Sequence, residues 1–168
     1  PRATARQRRD LTGLVALGVL MSRSWPTTPL ACAQRAFDLL TMPPRPLLFD
    51  ARGLPGLPQR LLGLRELKAF LIADTTPRPV RDVAWRDLVG RARTDGPHWV
   101  VAAVGVAMPG LRRTAGWLAA GRHGDTADAD TALLEGFLRR LASIDLDGER
   151  ICGRLIDAGV REVKRARA

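Results

Sequence analysis

Apolar side chains recur at steps of three and four over most of the carboxy-terminal two thirds of the chain, the spacing that lays one stripe along an α-helix. The clearest run is Thr126 to Asp147, with Leu133, Leu134, Phe137, Leu138, Leu141 and Ile144 on the stripe. Asp125, Thr126, Asp128 and Asp130 precede it and Arg139 and Arg140 follow, so the charges run with the helix dipole. Leu61 to Ala73 carries Leu62, Leu67, Phe70 and Leu71 and ends before Asp74-Thr75-Thr76-Pro77. Pro79 to Ala92 carries Val80, Val83, Ala84, Leu88 and Val89 and closes at Asp95-Gly96-Pro97. A third segment starts beside Pro97 and places Val100, Val104, Met108, Leu111, Ala115 and Leu118 on one face. Pro109 inside it predicts a bend or a division, because a mid-helix proline lacks its N–H and costs about 3 kcal/mol. Gly121, Gly124 and Asp125 mark a turn, and after Asp147-Gly148 a last helix is predicted from about Glu149 to Arg167. No stretch sustains the period-two alternation of a strand. The expected fold is all-α, a bundle of about five helices.

The first sixty residues follow another pattern. PRATARQRRD is a basic arm, and Leu11 to Met21 is an apolar run far shorter than the ~20 residues that cross a bilayer. Ala31-Cys32-Ala33 has the small-residue spacing of a leader cleavage site, but SRSWPTTPL separates it from the apolar run, which argues against export. Met42 to Pro58, MPPRPLLFDARGLPGLP, is too rich in proline for a helix or a central strand. It reads as a linker or an extended segment packed on a neighbour, with Leu47, Leu48 and Phe49 as anchors. The chain therefore divides into a basic, Pro-rich, partly irregular N-terminal segment, 1–60, and a helical domain, 61–168, with the compact part starting near Arg60.

Composition adds a charge argument. The 168 residues carry a net charge of +10, of which residues 1–60 hold +6 together with eight of the twelve prolines. Such a surplus favours a polyanionic partner, nucleic acid or an anionic membrane, without choosing between them. A GC-rich coding sequence loads a protein with Arg, Ala, Gly and Pro in the same way.

Catalytic chemistry is hard to assemble. Cys32 and Cys152 have no metal-ligand companions, and the lack of a disulfide framework suits a reducing cytoplasm. His98 and His123 are isolated. There is no G-x-S-x-G elbow, no phosphate-binding glycine loop and no H-E-x-x-H. Asp125, Asp128 and Asp130 stand where a helix start needs caps, so capping explains them better than a metal. Trp85, Trp99 and Trp117 fall in helical stretches, where packing is the ordinary role. The expectation is a protein without catalysis, cofactor or metal.

From Gly105 to Arg161 the order of features resembles the second conserved region of the bacterial sigma-70 family of RNA polymerase initiation factors. The family's L-P-L-V-R-R-x-A corresponds to Met108-Pro109-Gly110-Leu111-Arg112-Arg113-Thr114-Ala115. Its D-L-x-Q-E-G-x-x-G-L corresponds to Leu133-Leu134-Glu135-Gly136-Phe137-Leu138, with Leu134 in place of the glutamine. Leu146-Asp147-Gly148-Glu149-Arg150 stands for F-D-P-E-R, and Leu155 to Arg161 for Y-A-x-x-x-I-R. The resemblance implies a sigma region 2-like part at about 105–167 that touches RNA polymerase through Leu134, Glu135, Leu138 and Arg139. The last helix lacks the aromatic faces on which that family stacks melted bases. It keeps Arg150, Arg154, Arg161, Lys164, Arg165 and Arg167, which suit DNA phosphates. The resulting expectation is a non-catalytic, cytoplasmic, sigma-like protein that binds polymerase or DNA backbone in transcription regulation. The other reading is a helical interaction module with no nucleic-acid role.

Overall fold

The computed structural model describes residues 26–120 and 126–168. Six helices and one short ribbon are seen among them: α1 Pro29–Leu40, β1 Leu48–Asp50, β2 Leu61–Gly63, α2 Leu64–Ile72, α3 Arg78–Thr94, α4 Pro97–Ala119, α5 Thr126–Ser143 and α6 Ile151–Ala166. The fold is all-α in character. None of these helices is long and apolar enough to cross a membrane. The basic arm, the Leu11–Met21 run and the turn at Gly121, His123, Gly124 and Asp125 lie outside the described residues.

The centre of the fold is α4, and the other five helices pack on it. Seven consecutive residues, Ala102, Ala103, Val104, Gly105, Val106, Ala107 and Met108, are all buried. A helix that buries every position over two turns has neighbours on all sides, and its small side chains let them come close. The single stripe read from the sequence is therefore too narrow: Val100 and Ala115 are only half-buried, while Ala102, Ala103 and Val106 are core.

Pro109 does not divide α4, which runs unbroken from Pro97 to Ala119. Its missing N–H releases the carbonyl of Gly105, four residues back. The Lys68 ammonium on α2 donates to that carbonyl at 3.2 Å. The same ammonium lies 4.7 Å above the ring of Phe37 on α1. Phe37 is fully buried against Gly105, where any side chain would overlap its ring. One glycine thus admits α1, and one lysine offsets the proline. Partial burial holds the Lys68 ammonium below the ordinary lysine range.

The core begins well before Arg60. Leu30, Phe37, Phe49, Ala51 and Leu57 belong to the same buried cluster as the later helices. Thr28 caps α1 by accepting from the Ala31 N–H at 3.3 Å, and Pro29 starts the helix. Ala31-Cys32-Ala33 is thus the first turn of a packed helix.

Two segments read as linker and helix start are strands. β1 and β2 pair antiparallel, with Phe49 opposite Leu62 and Asp50 opposite Leu61. Phe49 and Leu62 point into the core while Leu48 and Leu61 are exposed, so of the three expected anchors only Phe49 is fully buried. Phe49 meets Trp99 edge-on at 6.4 Å, and the Arg91 guanidinium covers both rings. Gln59 closes the intervening loop, accepting from Gly53 N–H at 2.7 Å and donating to the Leu54 and Leu57 carbonyls at 3.0 Å.

The tightest pairing in the molecule is α5 on α6. A methyl group at Gly136 would come within 2.7 Å of the Ala158 carbonyl oxygen and the Gly159 Cα, and one at Gly159 would strike the Leu133 carbonyl oxygen. The two backbones touch at this glycine pair. Leu133, Phe137, Leu141, Leu155 and Val163 fill the seam on either side.

Candidate anion-binding surface

The last helix starts without a cap of its own. Arg150 precedes it in the left-handed region, φ 55° and ψ 43°, and contributes no side-chain bond to the first turn. The cap comes from α3. Asp82 accepts from the Arg150 N–H through Oδ2 and from the Ile151 N–H through Oδ1, both at 2.9 Å. The carboxylate is 9% exposed and sits at the positive end of the helix dipole, so its two backbone bonds offset its own desolvation.

Arginines brace the other side of this corner. Arg86 donates to the Leu146 carbonyl at 2.7 Å, and Arg93 donates to those of Leu141 and Ile144 at 3.0 and 2.6 Å. These two arginines cap the exit of α5, where the carbonyls of a helix end lack partners.

Cys152 lies in the first turn of α6, a position that ordinarily favours a thiolate. Here burial, joined by the Asp82 charge, pushes the thiol up to about 12. The thiol stays protonated at neutral pH, and the position is a poor one for a nucleophile.

Ile151, Leu155, Gly159 and Val163 bury one face of α6. Arg150, Arg154, Arg161, Lys164 and Arg165 fall on the opposite face within an arc of about 100°, taking about 100° per residue, and exposed Asp157 lies within the same arc. Their side chains differ in freedom. Arg161 and Lys164 are exposed, and no carboxylate among the described residues pairs with either. Arg150 lies 3.9 Å from Asp157, and Arg165 lies 3.4 Å from Glu162. Arg154 turns back to the Asp145 carbonyl at 2.8 Å, and Arg167 leaves the stripe to donate to the Leu118 carbonyl at 3.5 Å. Of the expected six-residue cationic set, Arg161 and Lys164 thus have neither a carboxylate nor a carbonyl partner among the described residues.

The expected polymerase-facing residues share one side of α5. Glu135 and Arg139 are exposed, with Leu134 and Leu138 half-buried beside them. Arg139 is paired with Glu162 of α6 at 2.7 Å. The Glu-Gly dipeptide has a packing reason of its own, since Gly136 is where the two helices touch.

Beside the start of α6 a cavity of about 610 Å³ opens between the end of α2, α3, α4 and α6. Arg78, Arg81, Arg113 and Arg150 line it, over walls that include Trp85 and Ile156. Of these only Arg150 belongs to the site expected from sequence. Arg78, Arg81 and Asp82 had a faint local signal, being spaced to share one side of a helix start.

No protein-family model, curated protein or solved structure matches this chain.

Proposed function

We propose that this protein is a non-catalytic binder of nucleic-acid backbone that acts in transcription regulation, the setting implied by its sigma-like order of features. The observation that carries the reading is the outer stripe of α6, where Arg161 and Lys164 stand without acidic partners between Arg150 and Arg165. A stripe of four cations meets phosphates as point charges and forks and reads no base edge. Such contact is independent of sequence and steeply dependent on salt, with a log–log slope of about −3 to −4 for four neutralised phosphates. Residues Ile151–Ala166 contain no aromatic ring, so melted bases find no stacking platform on this helix.

The test is fluorescence anisotropy on a labelled duplex across a salt series. The reading expects a slope near that value, unchanged by scrambling the duplex, and a loss of about two in slope for the double variant R161E/K164E. A flat salt response, or full affinity in the double variant, refutes it.

One further observation supports contact with polymerase: Glu135 is exposed on the helix that resembles the family's clamp-docking helix, with half-buried Leu134 and Leu138 and the exposed Arg139 on the same side. Co-elution with core polymerase on size exclusion, abolished by E135R, is the expected result. The interaction-module reading draws on Leu39, Met42, Leu48 and Leu61, apolar residues 41–48% exposed around the ribbon and the end of α1. Under that reading L48S/L61S abolishes partner capture while R161E/K164E leaves it intact.

A further inference from the structure

We infer that the cavity between α3, α4 and α6 is a binding site for a small organic phosphate, a molecule with one phosphate group and an apolar or aromatic body. The inference is independent of nucleic-acid binding by α6, because three of the four arginines at the cavity come from α3 and α4.

Size comes first. A volume of about 610 Å³ lies within the range of about 300–1,000 Å³ in which proteins hold small ligands. Its lining divides chemically. Leu71, Trp85, Val106, Pro109 and Ile156 supply an apolar wall, and Arg78, Arg81, Arg113 and Arg150 supply charge. Two carboxylates also reach the cavity, Asp74 and Asp82. Asp82 keeps its charge while accepting from the two backbone N–H groups at the start of α6, so four arginines against two carboxylates leave the lining net positive by two.

Of the four arginines, Arg150 lies 3.9 Å from Asp157, and the other three, Arg78, Arg81 and Arg113, are free of ion pairs among the described residues. Arg81 is held in place by one bond, Nη2 to the Ala73 carbonyl at 2.8 Å, and its buried Nε has no partner. A buried donor without an acceptor costs about 1–3 kcal/mol, and the Nε atoms of Arg140 and Arg154, away from the cavity, share this state. Guanidinium groups match phosphate oxygens in geometry as well as charge, which favours a phosphate over a lone carboxylate. The mixed lining favours a phosphate carrying an apolar body over the inorganic ion.

Calorimetric titration of the full chain with phenyl phosphate tests this, with inorganic phosphate and benzyl alcohol as half-ligands. The expected result is saturable 1:1 binding of phenyl phosphate, with each half-ligand weaker by about tenfold or more. Arg113→Met and Arg78→Met, exposed positions without partners among the described residues, each weaken it by about tenfold, the factor carried by one charge-assisted hydrogen bond. R161M/K164M leaves it unchanged. No saturation at millimolar phenyl phosphate overturns the inference, as does equal binding of either half-ligand. Insensitivity to both cavity arginines, or equal sensitivity to Arg161 and Lys164, overturns it as well. Loss of duplex binding in R161E/K164E with phenyl phosphate binding retained separates this site from the α6 stripe.

Discussion

Lys68 and Pro109 lie on different helices, yet their contributions to stability are coupled through the carbonyl of Gly105. Replacing Lys68 with Met keeps most of the aliphatic stem and removes the donor. The Gly105 carbonyl, buried in the middle of α4, then has neither the Pro109 nitrogen nor the ammonium to bond. An unsatisfied buried acceptor costs about 1–3 kcal/mol, and loss of the ammonium above the Phe37 ring adds about 0.5–1 kcal/mol. Pro109→Ala returns the helical N–H to that carbonyl. In this background Lys68→Met loses only the ring contact, about 0.5–1 kcal/mol. A cycle of the four proteins, measured by urea unfolding with far-ultraviolet circular dichroism, should therefore give a coupling of about 1–3 kcal/mol. In thermal melts the single Lys68→Met variant should fall by about 3–10 °C for a chain of this size. Equal costs for Lys68→Met in both backgrounds, within about 0.5 kcal/mol, would refute the account and leave Lys68 an ordinary half-buried lysine.

Gly159→Ala should destabilise by about 3 kcal/mol or more, because its methyl meets the Leu133 backbone oxygen, which cannot step aside without parting α5 from α6. Gly116→Ala, on an open helical surface with no atom near the new methyl, should stabilise by about 0.5–1 kcal/mol; chemical denaturation of the pair checks both signs. Asp82→Ala should cost about 2–3 kcal/mol by leaving the Arg150 and Ile151 N–H groups bare, and hydrogen exchange should speed first at the start of α6. Cys152 is held protonated up to about 12 in the folded protein against an ordinary 9.0, so its contribution is intact below pH 9 and lost as pH rises toward 12. Cys152→Ser should accordingly flatten the alkaline fall in stability, and at pH 8.5 iodoacetamide should label the exposed Cys32 well before Cys152.

The helices were legible because their cause is local. A repeat of three and four is written into the order of residues, and it placed α2, α3, α5 and α6 to within a few positions. The outer stripe of α6 was legible for the same reason, since Arg150, Arg154, Arg161, Lys164 and Arg165 recur with the helical period. The three-residue strands were not, because a period of two needs more length to show itself and their pairing joins Phe49 to Leu62 across a loop. The place of α4 at the centre was hidden by its alanines and glycine, which announce no stripe yet allow the closest approach.

Length, periodicity and charge were thus settled by the chain alone: an all-α, cationic protein with an amphipathic last helix. Only the tertiary structure decided which charges remain available. Arg86, Arg93, Arg154 and Arg167 face carbonyls, Arg139 faces Glu162, and Asp82 crosses 68 residues of sequence to start a helix it does not belong to. A side chain's type fixes its charge, but its partner depends on which backbone groups the fold leaves unbonded nearby, and that is a property of helix ends meeting in space.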